Sequence, residues 1–388
     1  MESIIASRIP YQKIRVMFDK ASRMEKEGKN IIHLEIGRPD FNTPDHIVEA
    51  AVEALNAGKH HYSQNAGVLE LRQAIAEKFA DDFGIGYDAE TEVVVTNGVA
   101  EGIYAACHAL LNPGDQVLIP DPRWVNYDVV VSTCLAVPVG YSLREDLDYQ
   151  AVPEEIAEKT TPQTRMILLA SPSNPTGAAA SREVMEKIAQ IVIKQNMVVL
   201  SDEIYSKIIY PPAEHICAAA LDGMRERTIV LNGFSKFYSM TGWRLGYVLG
   251  PKKMIDPILR YHQYMLTSTN TFAQWGAITA LKEKQSPSEQ MVGEFCRRRD
   301  YLYEEVNSLP GFSCVKPEGA FYLFPSIKET GVDGIQLADK LLEEAGVATV
   351  AGEYFGKNGA GHLRLSYANS LENLKDAVGR IKKCLDQT

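Results

Sequence analysis

Short, continuously apolar segments alternate with amphipathic ones through the middle of the chain. Five of the apolar segments are predicted to be β-strands, at residues 92–96, 116–119, 165–170, 197–201 and 228–231. Residues 99–110 and 182–195 have the apolar spacing of helices and lie between these strands. Strands that are apolar on both faces are covered by helices on both sides. The pattern therefore predicts an α/β fold whose central sheet is mostly parallel and flanked by helices.

The pattern differs at the two ends of the chain. Before the alternating region, helices are predicted at residues 14–26, 45–56 and 67–83, and a short strand at 31–36. After Ser286-Pro287-Ser288, a long helical stretch at 289–309 is followed by strand-like segments between helices, at residues 312–315, 320–324, 347–350 and 362–365. A chain of this length suits one large domain and a smaller one. We expect a large domain at residues 45–285 and a smaller α+β domain built from residues 1–44 and 286–388.

The composition argues against several classes of protein. The chain has 388 residues and a formal net charge of −10, with no run of Lys and Arg, so we expect no nucleic-acid partner. No apolar run approaches the ~20 residues that span a bilayer, and the N-terminus lacks the apolar stretch of a signal peptide. The six cysteines are scattered without a CxxC pair, so neither a metal site nor a disulfide framework is expected. We expect a cytoplasmic protein with no membrane partner.

Polar side chains follow two of the predicted strands, at the edge where α/β sheets bind ligands. Asp202 and Tyr205 come directly after the strand at 197–201, and Asn174 lies in the turn after the strand at 165–170. Taken alone, Asp202 is better explained as a helix N-cap, and the residues around Asn174 as an ordinary turn. Each side chain also has a ligand-binding interpretation, Asp202 through a cation and Asn174 through its amide.

A lysine and a helix start follow two further strands. Lys236 comes shortly after the strand at 228–231, and although most lysines are solvated, a desolvated one loses its proton readily and attacks carbonyl groups. Asn97-Gly98 opens a helix after the strand at 92–96, and free N–H groups there are able to hold a phosphate. Many helices begin this way, and the chain has no GxGxxG or GxxxxGK fingerprint. Together, the groups at the four strand ends fit one ligand, a phosphorylated aldehyde with a ring nitrogen.

The segment around this lysine resembles the cofactor-binding signature of the class I/II aminotransferases. Ser235-Lys236 is followed at the family's spacing by Met240-Thr241-Gly242-Trp243-Arg244-Leu245-Gly246. Further matches occur in the family's order, at Gly37-Arg38-Pro39-Asp40-Phe41, Tyr62 with Gly67 and Leu71-Arg72, Asn174-Pro175-Thr176-Gly177, Asp202-Glu203-Ile204-Tyr205 and Arg364-Leu365-Ser366-Tyr367. The resemblance implies a fold type I enzyme that depends on pyridoxal 5'-phosphate (PLP). It also implies a homodimer with its active sites at the subunit interface.

The resemblance assigns three residues to catalysis. Lys236 is expected to hold PLP as a Schiff base and then to move the α-proton of the substrate as a general acid/base. Asp202 is expected to keep the pyridine nitrogen protonated, so that the ring accepts electrons. Tyr205, together with Asn174, is expected to hydrogen-bond the ring oxygen.

The same resemblance implies how PLP and the substrate are held. The residues expected around the cofactor, besides the catalytic three, are Val99, Ala100, Trp124, Asn174, Ser235, Arg244 and Tyr62 of the partner subunit. Trp124 is expected to stack on the ring, and Arg244, eight residues after Lys236, to hold the phosphate. The residues expected around the substrate are Gly37, Trp124, Asn174 and Arg364. Of these, Arg364 is expected to bind the α-carboxylate as a bidentate fork.

Three positions depart from the family's pattern. Ala100 stands where some aspartate-specific relatives have a lysine for the distal carboxylate, Gly233 where many relatives have a serine, and Ala351 where many have a proline. We therefore expect a hydrophobic or aromatic amino acid, or a broad range with glutamate as the donor. This expectation rests mainly on Ala100 and on three aromatic residues near the motifs, Tyr11, Tyr127 and Phe321.

Transamination is the reaction that the resemblance favours. In it, an L-amino acid and a 2-oxo acid such as 2-oxoglutarate exchange amino and oxo groups. The alternative is a PLP-dependent lyase or substituting enzyme on the same scaffold, such as a carbon–sulfur lyase or an aminocyclopropane-carboxylate synthase. Because the two classes share their first steps, the cofactor-binding residues do not separate them. The complete set of Lys, Asp, Tyr and Arg residues argues against a non-catalytic protein.

Replacement of Lys236 by Ala is expected to end turnover while leaving PLP able to bind. The variant lacks the amine that links to the cofactor and moves the α-proton. An amino-transfer assay and the absorbance of the bound cofactor test both parts of this prediction. Normal turnover in Lys236→Ala would overturn the assignment of this lysine.

Overall fold

Helices and strands alternate along the chain in the computed structural model, which describes residues 3, 5–11 and 13–386. The described α-helices are α1 (Lys13–Lys26), α2 (Asp45–Asn56), α3 (Leu69–Phe83), α4 (Gly98–Leu110), α5 (Asn126–Thr133), α6 (Pro153–Lys159), α7 (Arg182–Lys194), α8 (Lys252–Leu266), α9 (Thr271–Lys282), α10 (Ser286–Asn307), α11 (Gly334–Ala345) and α12 (Leu371–Leu385). The described strands are β1 (Ile32–His33), β2 (Val93–Thr96), β3 (Gln116–Asp121), β4 (Val137–Ser142), β5 (Thr164–Ala170), β6 (Val198–Asp202), β7 (Thr228–Gly233), β8 (Gly246–Leu249), β9 (Tyr322–Leu323), β10 (Val347–Ala348), β11 (Val350–Ala351) and β12 (Leu363–Ser366). The five strands predicted in the middle of the chain are all present.

Seven strands form the central sheet, in the order β2-β8-β7-β6-β5-β3-β4. Neighbouring strands are parallel except at β8, which runs antiparallel to both β7 and β2. The prediction of an α/β fold with a mostly parallel sheet is confirmed. Two strands of this sheet, β4 and β8, were not predicted. The edge strand β4 is mostly half-buried and contains Pro138 and Gly140, so it lacks a continuous apolar run.

Helices cover both faces of this sheet, as the apolar strands require. On one face, Val198 and Leu200 of β6 belong to an apolar cluster that includes residues of α4, α5 and α8. On the other face, Val199 packs with residues of α6 and α7. The alternation follows from the two-residue period of a strand, which points successive side chains to opposite faces.

The C-terminal part of the chain, together with β1 from the N-terminal part, forms two small sheets. β1 pairs in parallel with β10, and β11, β12 and β9 form an antiparallel sheet. The strand predicted at 347–350 is therefore two strands in different sheets, separated by Thr349. The strand predicted at 312–315 is wrong, because only Ser313 pairs there, with Ser326. Pro325, next to Ser326, has no N–H with which to continue the pairing.

The proposed division into domains follows the positions of these sheets. The strands of the central sheet lie within residues 93–249, whereas those of the small sheets lie at 32–33 and within 322–366. The division into residues 45–285 and residues 1–44 with 286–388 stays a prediction.

The carboxyl ends of the parallel strands meet at one edge of the central sheet. β2 ends at Thr96, β3 at Asp121, β5 at Ala170, β6 at Asp202 and β7 at Gly233. Ala170 pairs with Asp202, and Asp202 pairs with Leu231, so the residues that follow these strands emerge side by side. This edge is the place where a parallel sheet binds its ligand.

Candidate active site

A cavity of about 550 Å³ opens at this edge of the sheet. Of the predicted site residues, those that line it are Gly37, Val99, Ala100, Trp124, Asn174, Asp202, Tyr205, Ser235, Lys236, Arg244 and Arg364. Tyr62 lies outside the cavity of this chain, and its side chain is 86% exposed. The fold therefore brings residues from nearly the whole length of the chain into one space.

The Lys236 side chain is placed by the turn that follows β7. Its Nζ donates a hydrogen bond of 2.5 Å to the carbonyl oxygen of Gly37. Burial lowers the pKa of this amine to about 8, and the nearby guanidinium groups of Arg364 and Arg244 act in the same direction. Gly37 must lack a side chain, because a Cβ there would collide with the Tyr322 hydroxyl. The cavity thus holds a lysine that is easily deprotonated.

Asp202 is the last residue of β6 and is buried. Its Oδ2 accepts a hydrogen bond of 2.7 Å from the Tyr127 hydroxyl, and its Oδ1 accepts one of 3.2 Å from the Ile204 amide. Burial raises the pKa of this carboxyl to about 6, against the effect of these two donors. The sequence left Tyr127 unplaced, and the structure puts it in α5, behind Asp202. Tyr127 also lies edge-on to Trp124, with ring centroids 5.6 Å apart.

Tyr205 is paired with a second tyrosine that the sequence did not single out. Its hydroxyl lies 2.8 Å from the hydroxyl of Tyr322 in β9. Burial raises the pKa of Tyr205 well above that of an ordinary phenol. Tyr322 lies in the segment at residues 320–324, which the sequence predicts as a strand without marking any of its residues as part of a site. Phe321, beside it, is buried against the Tyr205 ring and does not line the cavity, and Tyr11 is exposed and outside it.

Arg364 in β12 is 3% exposed and projects into the cavity from the C-terminal part of the chain. Its Nη1 donates to Asn174 Oδ1 over 2.9 Å, and its Nη2 donates to the carbonyl oxygen of Glu35 over 2.6 Å. Among the described residues, its Nε has no hydrogen-bond partner. A buried guanidinium with an unused N–H is a binding group for an anion. β11 supports it, since Val350 pairs directly with Arg364.

The start of α4 lies opposite, at the other side of the cavity. Gly98 has φ +74°, no side chain caps the helix, and Val99 and Ala100 of its first turn line the cavity. The Arg244 guanidinium occupies the space where a Cβ on Gly98 would stand. A helix N-terminus and an arginine together favour a phosphate. Ser235 lines the same cavity.

The glycine at position 233 has a structural reason. Gly233 pairs with Gly246 across β7 and β8. A Cβ at Gly233 would lie 2.8 Å from Gly246 Cα and 2.9 Å from the Leu245 carbonyl oxygen. A serine would not fit this crossing without a shift of the backbone. The departure from the serine of many relatives is therefore matched by the packing of the two strands.

This set of groups fits PLP. A deprotonable amine suits an aldehyde, a buried carboxylate suits a pyridinium nitrogen, and helix amides with an arginine suit a phosphate. The Arg364 guanidinium lines the cavity and donates to Asn174 and to the Glu35 carbonyl with only two of its five N–H groups, so it suits the carboxylate of an amino acid. The fold and the site define a PLP-dependent enzyme that acts on amino acids.

Comparisons with known proteins agree with this class. The family model "Aminotransferase class I and II" matches residues 29–381. The chain is 40% identical to the aromatic-amino-acid aminotransferase 2 of Thermococcus litoralis, over 97% of this chain and 96% of the relative. It is also 40% identical to an aspartate aminotransferase of Pyrococcus abyssi, over 96% and 95% of the two chains.

Solved structures give the same answer for the fold. The aspartate aminotransferase of Thermus thermophilus with maleate matches with a TM-score of 0.95 and 35% identity, over 99% of each chain. The aromatic aminotransferase of Pyrococcus horikoshii matches with a TM-score of 0.91 and 41% identity, over 95% of this chain and 99% of the other. The chain therefore belongs to the class I and II aminotransferases and has their fold type I. It is a PLP-dependent aminotransferase, so the amino-acid and 2-oxo-acid chemistry expected from the sequence is confirmed, and the lyase alternative is not supported.

The raised pKa of Asp202 predicts how pH affects the stability of the cofactor-free protein. An acid whose pKa is raised from 3.8 to about 6 by folding is penalised when ionised, so the penalty is complete above pH 6 and absent below pH 4. Asp202→Asn is expected to increase the free energy of unfolding at pH 8 by about 2 kcal/mol. The gap should close as the pH falls from 6 to 4.

Chemical denaturation of the cofactor-free protein at several pH values measures this gap. Asp222→Asn makes the same exchange at an exposed carboxyl and serves as the matched control. A stability difference for Asp202→Asn that is the same at pH 4 and pH 8 would rule the explanation out.

Proposed function

We propose that this aminotransferase moves the amino group between L-amino acids with aromatic or large apolar side chains and 2-oxoglutarate, with glutamate as the second amino acid. The observation that carries the proposal is the buried Arg364, which lines the same cavity as the Lys236 amine and whose Nε has no partner in the part of the chain that the structure describes. An α-carboxylate bound at Arg364 brings the α-carbon of an amino acid toward that amine. The roles of the individual residues below belong to the same proposal.

Lys236 is proposed to move the proton at the α-carbon. When bound, PLP supplies a carbonyl that takes the amino group and a ring that accepts the electron pair released at the α-carbon. The Lys236 Nζ takes the proton from the α-carbon, for which it must be neutral, and its pKa of about 8 leaves a useful neutral fraction near neutral pH. The Gly37 carbonyl, 2.5 Å away, aims the amine.

Asp202, Tyr205 and Asn174 are proposed to hold the ring at its polar atoms. Asp202 would face the pyridine nitrogen, and the proton there favours the ionised carboxylate. The Tyr127 hydroxyl, 2.7 Å away, orients that carboxylate. Asn174 Oδ1 accepts a hydrogen bond from Arg364. The NH₂ group of Asn174 therefore remains to donate to the ring oxygen or to the substrate.

The wall of the cavity supports a broad substrate range. Its apolar and aromatic members beyond the predicted site are Ile14, Phe18, Ile36, Val125, Tyr127, Ala170, Pro172, Ile204 and Tyr322. Two exposed arginines, Arg15 and Arg38, line the same space and offer cations for a second carboxylate. Curated relatives are named for both aromatic amino acids and aspartate. One cavity with an apolar wall and cationic groups suits both kinds of side chain.

A homodimer with shared active sites and a cytoplasmic location are also proposed. Tyr62 and Tyr264 are 86% and 89% exposed, and their segments are tied together by the Asn65 amide, which donates 2.7 Å to the Thr267 carbonyl. Highly exposed aromatic residues on two adjoining segments favour a protein interface, through which Tyr62 would reach the phosphate of the partner subunit. None of the six cysteines forms a disulfide, which suits a reducing compartment. No helix in the described ranges is long and apolar enough to cross a membrane.

Single-turnover measurements test the reaction and the role of Arg364. The PLP-loaded enzyme mixed with L-phenylalanine alone is expected to release one equivalent of oxo acid per bound cofactor, and to continue only when 2-oxoglutarate is added. Arg364→Lys keeps the charge but loses the planar fork, so KM for phenylalanine and for glutamate should rise by about tenfold or more. Continuous release of ammonia from phenylalanine without an added oxo acid would contradict the proposal.

Substrate selection is tested at the two exposed arginines. Arg15→Gln and Arg38→Gln are expected to raise KM for glutamate and 2-oxoglutarate about five- to tenfold and to leave KM for phenylalanine within about twofold, because only the first two carry a second carboxylate. Arg23→Gln, an exposed arginine of α1 outside the cavity, is the matched control. An equal rise in KM for glutamate, 2-oxoglutarate and phenylalanine would show that the two arginines do not bind the second carboxylate.

A further inference from the structure

A buried carboxylate and a buried imidazole meet behind the start of α4. Glu101, in the first turn of α4, is 8% exposed, and His262 of α8 is completely buried. His262 Nδ1 lies 2.8 Å from Glu101 Oε1. Neither residue lines the cavity, although Val99 and Ala100 of the same turn do. Burying two ionisable groups costs free energy that burying an apolar pair would not. A pair that is kept despite this cost is expected to have a role that an apolar pair could not fill.

The second carboxylate oxygen of Glu101 holds the backbone that precedes α4. Glu101 Oε2 accepts a hydrogen bond of 2.7 Å from the Asn97 amide. The Thr96 hydroxyl donates to the Gly98 carbonyl oxygen over 3.0 Å. These two bonds determine the turn at residues 96–98 from inside the protein. The amides of Val99 and Ala100 are then left for a ligand in the cavity.

The opposite side of this turn is confined by the strand that follows the lysine motif. A Cβ on Gly246 would lie 2.7 Å from the Gly98 carbonyl carbon and 2.8 Å from the Val99 nitrogen. The Arg244 guanidinium lies against Gly98 as well. The turn is therefore held between β8 on one side and the pair Glu101–His262 on the other.

His262 has no other polar role in the described chain. Its Nε2 is buried and has no hydrogen-bond partner there, so Glu101 is the one group that its ring binds. The buried Nε2 without a partner costs free energy, and an apolar side chain would fill the space more favourably. The imidazole is therefore explained by its hydrogen bond with the Glu101 carboxylate. The ring orients Glu101 so that Oε2 meets the Asn97 amide.

We propose that Glu101 and His262 are positioning residues for the cofactor phosphate, acting through the backbone of residues 97–100. The inference rests on the proposed binding of that phosphate by the Val99 and Ala100 amides and by Arg244. The pair does not touch the phosphate. It holds the amides in the direction that the phosphate requires, which a rigid hydrogen-bonded turn does better than a free one.

Binding of PLP and of pyridoxal, which lacks the phosphate, by the cofactor-free full chain tests this inference. The dissociation constant of PLP is expected to rise about tenfold in Glu101→Leu and in His262→Leu. The dissociation constant of pyridoxal should stay within about twofold in both variants. His262→Asn keeps an amide near the position of Nδ1 and should restore most of the affinity for PLP. His108→Leu, the same exchange at the far end of α4, is the matched control and should change neither constant.

The outcomes separate this inference from the assignment on which it rests. An equal loss of affinity for PLP and pyridoxal would indicate general damage to the fold and overturn the positioning role, as would unchanged affinity for both. A wild-type protein that binds PLP and pyridoxal equally well would instead overturn the phosphate assignment itself. If the leucine variants do not fold, His262→Gln replaces them, and PLP affinity in it equal to that of His262→Asn would overturn the role of the Nδ1 contact.

Discussion

Desolvation of the Lys236 amine is the constraint on which the rest of the site depends. The amine lies where the parallel strands end, with Arg364 and Arg244 near enough to lower its pKa and Asp202 near enough to oppose them. A lysine in water would stay protonated and would not attack a carbonyl at neutral pH. The sheet provides what is needed, because its apolar strands exclude water up to their last residues and its loops place charged groups around the mouth. The fold thus produces the deprotonable amine on which the chemistry depends.

Close approach of the backbone is the second requirement, and glycines satisfy it. Gly233 and Gly246 let β7 and β8 come together beside Lys236, and Gly98 lets Arg244 lie against the start of α4. Gly37 lets its carbonyl reach the amine below the Tyr322 hydroxyl. A side chain at any of these positions would push apart groups that the fold holds close together beside the cavity. These four glycines therefore have a steric reason in this chain.

The sequence was sufficient for five of the seven strands of the central sheet and for the groups at its edge, and insufficient for the residues that pair with those groups. Continuous apolar strands follow from burial on both faces, so Asp202 and Lys236 could be located at strand ends from the sequence alone. Tyr127 and Tyr322 could not be assigned, because an aromatic residue within an apolar segment looks like core and only the packing shows which polar atom its hydroxyl meets. Glu101 and His262 are 161 residues apart, and no local pattern joins them. The edge strand β4, half-buried and interrupted by Pro and Gly, carries too weak a pattern to be recognised.

Buried polar pairs recur in the cavity wall and directly behind it. Tyr127 pairs with Asp202 and Tyr322 with Tyr205 in the wall itself, and His262 pairs with Glu101 behind the start of α4. Glu203, next to Asp202, is itself bound by His215 over 2.9 Å. Apolar pairs would stabilise the fold at least as well, since each of these groups must be desolvated. Hydrogen bonds have a direction that apolar contacts lack. A cofactor held by several small polar groups requires each of them to be oriented correctly, even where this lowers the stability of the fold. The distribution of buried polarity in this protein is therefore best explained by the orientation of the cavity groups.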